Sequence, residues 1–238
     1  MKVFSNKKNV LLRSIFQIMN NKIKGYLFAA ISAVTYGMNP LFALPLYDAG
    51  MDLFSVLFFR YLIAVALLGV FLMLTRQTFK VNAKQAGILL VLGVLYTFSS
   101  IFLFEAYNYI ASGLATTLIF LYPVVVALIM VFLRVVPSWQ VWLSIVATFA
   151  GVIIMTQGSS GEAVNPIGVL LSLGSATVYA FFIVIINRSK TIASISNSLL
   201  TFYSLLTGAV IFLGRILMAD TGITTGIDGI SAWGNLIG

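Results

Sequence analysis

The stretch GYLFAAISAVTYG at residues 25–37 returns in altered form as GVLLSLGSATVYA at residues 168–180. At a constant offset of 143 residues the two stretches share Gly25/Gly168, Leu27/Leu170, Ser32/Ser175, Ala33/Ala176 and Tyr36/Tyr179. The same offset continues without a gap into the following apolar segment, where it pairs Ser55/Ser198, Leu57/Leu200, Phe59/Phe202, Leu62/Leu205 and Ala66/Ala209. An ungapped register over two segments and their connection indicates an internal repeat.

The composition places this repeat in a membrane. The chain is 61% hydrophobic and only 8% charged, whereas a soluble domain carries roughly 25% charged residues. It contains no cysteine and no histidine, which removes thiol nucleophiles, imidazole bases and the usual zinc and haem ligands. We therefore expect a membrane protein that is not an enzyme, with no catalytic residues, no metal site and no cofactor.

Apolar runs long enough to cross the hydrocarbon core can be counted directly. They predict an all-α, polytopic membrane helical bundle with spans near residues 25–47, 53–74, 86–109, 112–134, 139–157, 166–187 and 197–218, and an eighth opening near 230.

The repeat unit contains five spans, so its second copy must enter the membrane from the opposite side, as in the inverted repeats of secondary transporters. We expect a basic N-terminal segment at 1–24, a first five-helix repeat at 25–157 and a partial second repeat at 166–238. A complete second copy at this offset needs roughly 60 residues more. The sequence thus predicts a fragment of a ten-span protein.

The charged residues predict the orientation. Twelve of the 14 basic residues fall in the N-terminal tail and in alternate loops, and five of the six acidic residues fall in the other loops. By the positive-inside rule the N-terminus is cytoplasmic, in the inner or plasma membrane. The net charge of +8 is an orientation signal in this interpretation and does not indicate nucleic-acid binding.

Small residues recur every fourth position on one face of each copy: Gly25, Ala29, Ala33 and Gly37, then Gly168, Ser172, Ala176 and Ala180. In lipid, helices associate through close packing and interhelical hydrogen bonds, because apolar surface alone gives no net drive. We expect both faces to contact other helices, and they would also suit a homodimer.

Arg60 in the second span and Glu105 in the third are the two charged residues well inside the predicted membrane. Their helices are consecutive and antiparallel, and the two side chains lie at similar depth. An unpaired charge at such depth costs several kcal/mol. A permanent ion pair and a substrate or proton site both satisfy this requirement, and the sequence leaves the two open.

Five further residues complete the candidate site. Asn39 is an amide at membrane depth beside Pro40, a combination tolerated where protein or a water-filled cavity satisfies the polar groups. The other four are tyrosines. Tyr96, Tyr122 and Tyr179 lie in the centres of predicted spans, and Tyr203 is at the position equivalent to Arg60 in the second copy. Simple packing is the competing interpretation for each of them.

Over residues 22–238 the sequence resembles the drug/metabolite transporter superfamily, specifically its ten-span EamA-type members. The resemblance lies in the order and spacing of Tyr36-Gly37-Met38-Asn39-Pro40, Phe59-Arg60-Tyr61, Glu105-Ala106-Tyr107 with Ala111-Ser112, Leu121-Tyr122-Pro123, and the restart from Gly168 to Tyr179. It implies a carrier with both termini inside, a central cavity between the repeats, and export or exchange of small metabolites, often coupled to protons.

Our leading hypothesis is a secondary carrier for amino acids, nucleosides or amphipathic drug-like compounds, working by alternating access. Arg60 would attract a carboxylate or phosphate or hold Glu105, and Glu105 would carry a coupling proton. The alternative is a non-transporting membrane assembly or structural protein, which would tolerate the loss of both charges.

Overall fold

The structure, a computed structural model, describes residues 23–135, 138–157, 165–218 and 236. These ranges contain α-helices joined by turns and no β-strand. The chain divides into two compact units, residues 1–41 and 42–238.

The first unit contains helix α1 at residues 23–37 and the start of α2, Asn39–Asp48. The two helices are separated at Met38, where the amide of Leu41 donates to the Met38 carbonyl at 2.9 Å. Pro40 has no amide hydrogen to continue the α-helical pattern. The first predicted span is therefore one apolar segment, Ile23–Asp48, with a break beside Asn39 and Pro40.

The second unit contains the rest of α2 and seven further described helices. They are α3 Leu53–Leu74, α4 Ala83–Ala106, α5 Ser112–Ile119, α6 Tyr122–Phe132, α7 Trp139–Gln157, α8 Pro166–Arg188 and α9 Asn197–Met218.

Polar residues cap the helices where they begin. Asp52 accepts the amide of Phe54 at 3.1 Å at the start of α3. Asn82 and Gln85 exchange hydrogen bonds of 2.9 and 3.0 Å at the start of α4. Such caps replace the partners that the first helical amides lack.

The predicted span at 112–134 is also broken, into α5 and α6. The amides of Phe120 and Leu121 donate to carbonyls three residues back, at 3.1 Å each, which tightens the chain just before Pro123. The proline in the middle of this span thus opens the helix, as its position predicts.

Within the described residues, six segments are long and apolar enough to cross a membrane: Ile23–Asp48, Leu53–Leu74, Ala83–Ala106, Ser112–Phe132, Pro166–Arg188 and Asn197–Met218. A seventh, Trp139–Gly151 within α7, is apolar but shorter. The predicted span near 230 and nearly all of the basic segment 1–24 lie outside the described residues. The prediction of an all-α polytopic membrane bundle is confirmed, and the inverted repeat stays a prediction.

Helix α4 is central to the second unit, because it contacts both α8 and α9. Helix α3 packs against α9, and α5 and α6 pack against α8. The small-residue face of α8 is turned inward as predicted, with Ser172, Ala176 and Ala180 each 0% exposed. The equivalent residues of α1, which are Gly25, Ala29, Ala33 and Gly37, are exposed, so the expected burial is seen for α8 and not for α1.

Two serines join α4 and α8 by hydrogen bonds. The hydroxyl of Ser175 donates to the carbonyl of Ser99 at 2.7 Å, and the hydroxyl of Ser99 donates to the carbonyl of Ser175 at 3.1 Å. Both residues are buried. Small side chains let the backbones come this close, and the reciprocal bonds then hold the helices in register.

Candidate functional site

Aromatic rings from four helices meet in the middle of the second unit. We call these five residues the aromatic cluster: Tyr61 of α3, Tyr96 of α4, Tyr122 of α6, and Tyr179 and Phe182 of α8. The ring of Tyr179 lies 4.9 Å from that of Tyr122, edge to face, and 6.3 Å from that of Tyr96. Tyr96 lies 6.0 Å from Tyr61 and 5.5 Å from Phe182, and Phe182 stacks on Tyr179 at 5.6 Å.

The helix geometry explains why these rings meet. Tyr122 is the first residue of α6, so the break before Pro123 sets its direction. Tyr96 and Tyr179 are each about one helical turn from the Ser99–Ser175 contact that joins α4 and α8. Rings at such distances and angles attract one another through their quadrupoles.

Tyr61 is held by both a hydrogen bond and a ring contact. It is 7% exposed, its hydroxyl is 2.6 Å from Ser100 Oγ, and Phe212 meets it edge to face at 5.1 Å. By contrast, no hydrogen bond within the described ranges engages the hydroxyls of Tyr96, Tyr122 or Tyr179. These three phenols are available to a polar ligand.

A second group lies at the C-terminal end of α4, which contains Glu105. We call it the charged cluster: Tyr47 of α2, Arg60 of α3, Glu105 of α4 and Tyr107 directly after α4. Tyr47 is within electrostatic range of the other three, and Arg60 is within range of both tyrosines. The amide of Asn108 donates to Glu105 Oε2 at 3.4 Å. The two charged residues singled out in the sequence are thus gathered around the same tyrosine.

The tyrosines of the charged cluster have different surroundings. The hydroxyl of Tyr107 is 3.2 Å from Thr116 Oγ1 of α5. The hydroxyl of Tyr47 is buried and has no hydrogen-bond partner among the described residues. A buried polar atom of this kind is a point where a bound polar molecule would be stabilised.

The remaining candidates are placed differently. Tyr203 of α9 donates its hydroxyl to the carbonyl of Phe79 at 2.7 Å, which ties α9 to the connection between α3 and α4. Its ring packs against the apolar core that includes Leu89 and Leu92. Asn39 is the first residue of α2 and belongs to the first unit, residues 1–41.

Of the seven predicted site residues, the structure brings Tyr96, Tyr122 and Tyr179 into one cluster and Arg60 and Glu105 into another. The prediction missed Tyr47, Tyr61, Tyr107 and Phe182. Phe182 follows Tyr179 by three residues, a helical spacing that could have found it. Nothing in the sequence around Tyr47 distinguishes it from other tyrosines at a span end.

The described residues contain no group of three or more His, Cys, Asp or Glu side chains that could hold a metal ion. The two clusters contain groups that can bind a ligand: aromatic faces, phenolic hydroxyls, one guanidinium and one carboxylate. This combination suits an amphipathic or charged organic molecule, because ligand sites in proteins are mostly apolar with a few placed polar groups.

Comparisons with known proteins agree with this fold. A family model described as the EamA-like transporter family matches residues 23–157. A solved crystal structure with 19% sequence identity superposes with a TM-score of 0.60, covering 87% of this chain and 74% of the other. At that identity the likeness establishes the fold alone. No curated protein matches the chain.

Proposed function

Since this chain belongs to the EamA-like transporter family, we propose that it is a secondary transporter whose substrates are small polar or amphipathic metabolites. The observation that carries the proposal is the aromatic cluster. Four helices contribute to it, and three of its phenols have no hydrogen-bond partner in the described ranges. These three hydroxyls are not among the buried, unpartnered atoms of the described residues, so solvent or a ligand can reach them.

The charged cluster supports a role for Arg60 and Glu105 in the same process. Arg60 is half-buried, and its guanidinium would bind a carboxylate or phosphate of a substrate. Glu105 is the acid of this cluster and would bind the coupling proton. Tyr47, with its unbonded hydroxyl, would contact the substrate between them.

The mechanism we propose is alternating access between two inverted repeats, in the inner or plasma membrane, with the N-terminus in the cytoplasm. The repeat in the sequence and the distribution of basic residues support this arrangement. Helix breaks at Met38 and before Pro123 support it as well, because broken spans at membrane depth are typical of transporter sites.

The test compares intracellular and extracellular metabolites of cells that express the protein or one of two variants, Glu105→Gln and Tyr179→Leu. We expect a small set of compounds to move across the membrane with the unmodified protein, and at least tenfold less movement with either variant, because loss of a charge-assisted bond or an aromatic platform at the site costs about 1.4 kcal/mol or more.

Matched controls distinguish the site from general damage. Asp48→Asn removes an exposed carboxylate at the end of α2, and Phe181→Leu removes a ring that is 46% exposed on the same helix as Tyr179. Both controls should transport normally. Full transport by Glu105→Gln would remove Glu105 from the mechanism, and no metabolite movement with any inserted protein would favour the structural alternative.

A further inference from the structure

A polar cavity of about 430 Å³ lies between the α3–α4 and α8–α9 connections, at the other end of the bundle from the charged cluster. Its polar lining consists chiefly of Arg76, Gln77, Lys80, Gln85, Ser194 and Ser196. The volume is within the range of about 300 to 1,000 Å³ that ligand sites occupy.

The charge of the cavity is entirely positive. Residues 75–82 and 189–196, which form the two connections, contain no acidic residue, and Arg76 and Lys80 line the cavity itself. No carboxylate of these segments therefore neutralises the two cations. The neighbouring start of α9 adds to the positive potential, because helix N-termini carry a partial positive charge.

Hydrogen bonds between the two connections hold the cavity in shape. Ser196 donates to Gln77 Oε1 at 2.6 Å, and Gln85 donates through Nε2 to the Thr191 carbonyl at 3.2 Å. Because Gln77 accepts with its oxygen, its amide nitrogen is a donor. The site thus combines a guanidinium, an ammonium and neutral donors on a cross-linked frame.

Arg76 occupies an unusual backbone position. It follows α3 with φ of 51°, and the amide of Gln77 donates back to the Leu72 carbonyl at 3.0 Å, which is a Schellman ending. At the end of α2 the same position is filled by Gly50, with φ of 84°. Arg76 thus brings a charged side chain to the start of the connection, at a position that glycine fills after α2.

We propose that this cavity binds the phosphate group of an anionic ligand. Arg76 and Lys80 would pair with the phosphate oxygens, and the amide and hydroxyl donors of Gln77 and Ser194 would complete the recognition. The cavity opens where membrane-spanning helices end, which is where phospholipid headgroups lie, so the headgroup of an acidic phospholipid is one source of the phosphate and a soluble phosphate compound is the other. This site is separate from the transport site proposed above.

The test measures binding of short-chain phosphatidylglycerol to the purified, detergent-solubilised protein by native mass spectrometry. Phosphatidylcholine of equal chain length is the comparison lipid, and inorganic phosphate is added as a competitor. We expect phosphatidylglycerol to bind more tightly than phosphatidylcholine, and binding to weaken about fivefold for each basic side chain removed in Arg76→Gln with Lys80→Gln.

The control variant is Arg134→Gln with Lys24→Gln, which removes the same charge at two residues that do not line the cavity. Arg134 has φ of 60° and so matches the backbone conformation of Arg76. This variant should keep the affinity of the unmodified protein. If the first double variant fails to fold, Lys80→Gln alone is compared with Lys24→Gln alone.

The outcomes separate the two sources. Selective lipid binding that inorganic phosphate does not displace assigns the site to a headgroup, and displacement by millimolar phosphate assigns it to soluble phosphate compounds. Equal binding of the two lipids without any effect of phosphate would overturn the proposal. Equal weakening in the cavity variant and the control variant would overturn it too, since the attraction would then be a general surface charge.

Discussion

Ser99 and Ser175 show how single side chains hold membrane helices together in this protein. Each hydroxyl bonds the backbone carbonyl of the other residue, and the two hydroxyl oxygens lie 3.0 Å apart. A hydroxyl that bonds only its own helix, such as that of Ser172 to the Gly168 carbonyl at 2.9 Å, adds no hydrogen bond between helices.

We expect Ser99→Ala and Ser175→Ala each to lower the free energy of unfolding by about 0.6 kcal/mol or somewhat more. The double variant should lose less than the sum, because the first substitution already breaks part of the shared network. Unfolding in mixed micelles, followed by circular dichroism, measures these changes. Ser99→Ala combined with Ser172→Ala should be additive, and additivity in the Ser99/Ser175 pair as well would refute the coupling.

At the scale of helices, glycines decide which elements can approach. Helix α9 carries two that differ sharply in their surroundings. A Cβ at Gly208 would lie 2.5 Å from Tyr61 Cε1 and 2.8 Å from Thr97 Oγ1, whereas a Cβ at Gly214 would meet no atom within 4 Å. The first glycine therefore seats α9 against α3 and α4, beside a ring of the aromatic cluster.

Gly208→Ala should destabilise the protein by about 1 to 3 kcal/mol, because the packed ring of Tyr61 would have to move. Gly214→Ala has the same chemistry in open surroundings and should be neutral or slightly stabilising. The midpoint of thermal unfolding in detergent reports both effects. If the two variants had equal midpoints, the close packing of α9 against Tyr61 would be disproved.

At the scale of the whole molecule, the membrane orientation can be tested with unusual clarity, since the chain contains no cysteine. A membrane-impermeant maleimide applied to intact cells should label Asp48→Cys, in the connection we assign to the outside. It should label Lys80→Cys only after the cells are permeabilised. The unmodified protein provides the background, and the reverse pattern would invert our orientation and place the phosphate cavity on the outer face.

Much of the architecture follows from local properties of the sequence. The lengths of the apolar runs give the spans, Pro40 and Pro123 give the breaks at Met38 and before α6, and the four-residue spacing of small residues gives the buried face of α8. These features are predictable because each is set by a short stretch of sequence. A span must match the hydrocarbon thickness, a proline lacks an amide hydrogen, and residues four apart share one helix surface. The same spacing on α1 is exposed, and Pro45 lies inside α2, so neither pattern decides the structure by itself.

The partners of those helices were decided only by tertiary structure. The sequence singled out Tyr96, Tyr122 and Tyr179 separately. It did not show that they would meet, or that Tyr61 and Phe182 would join them. It also gave no sign that Tyr47 would lie within electrostatic range of both Arg60 and Glu105. Such contacts depend on the rotation and register of helices distant in the chain, which the sum of many weak packing interactions sets and no local pattern records.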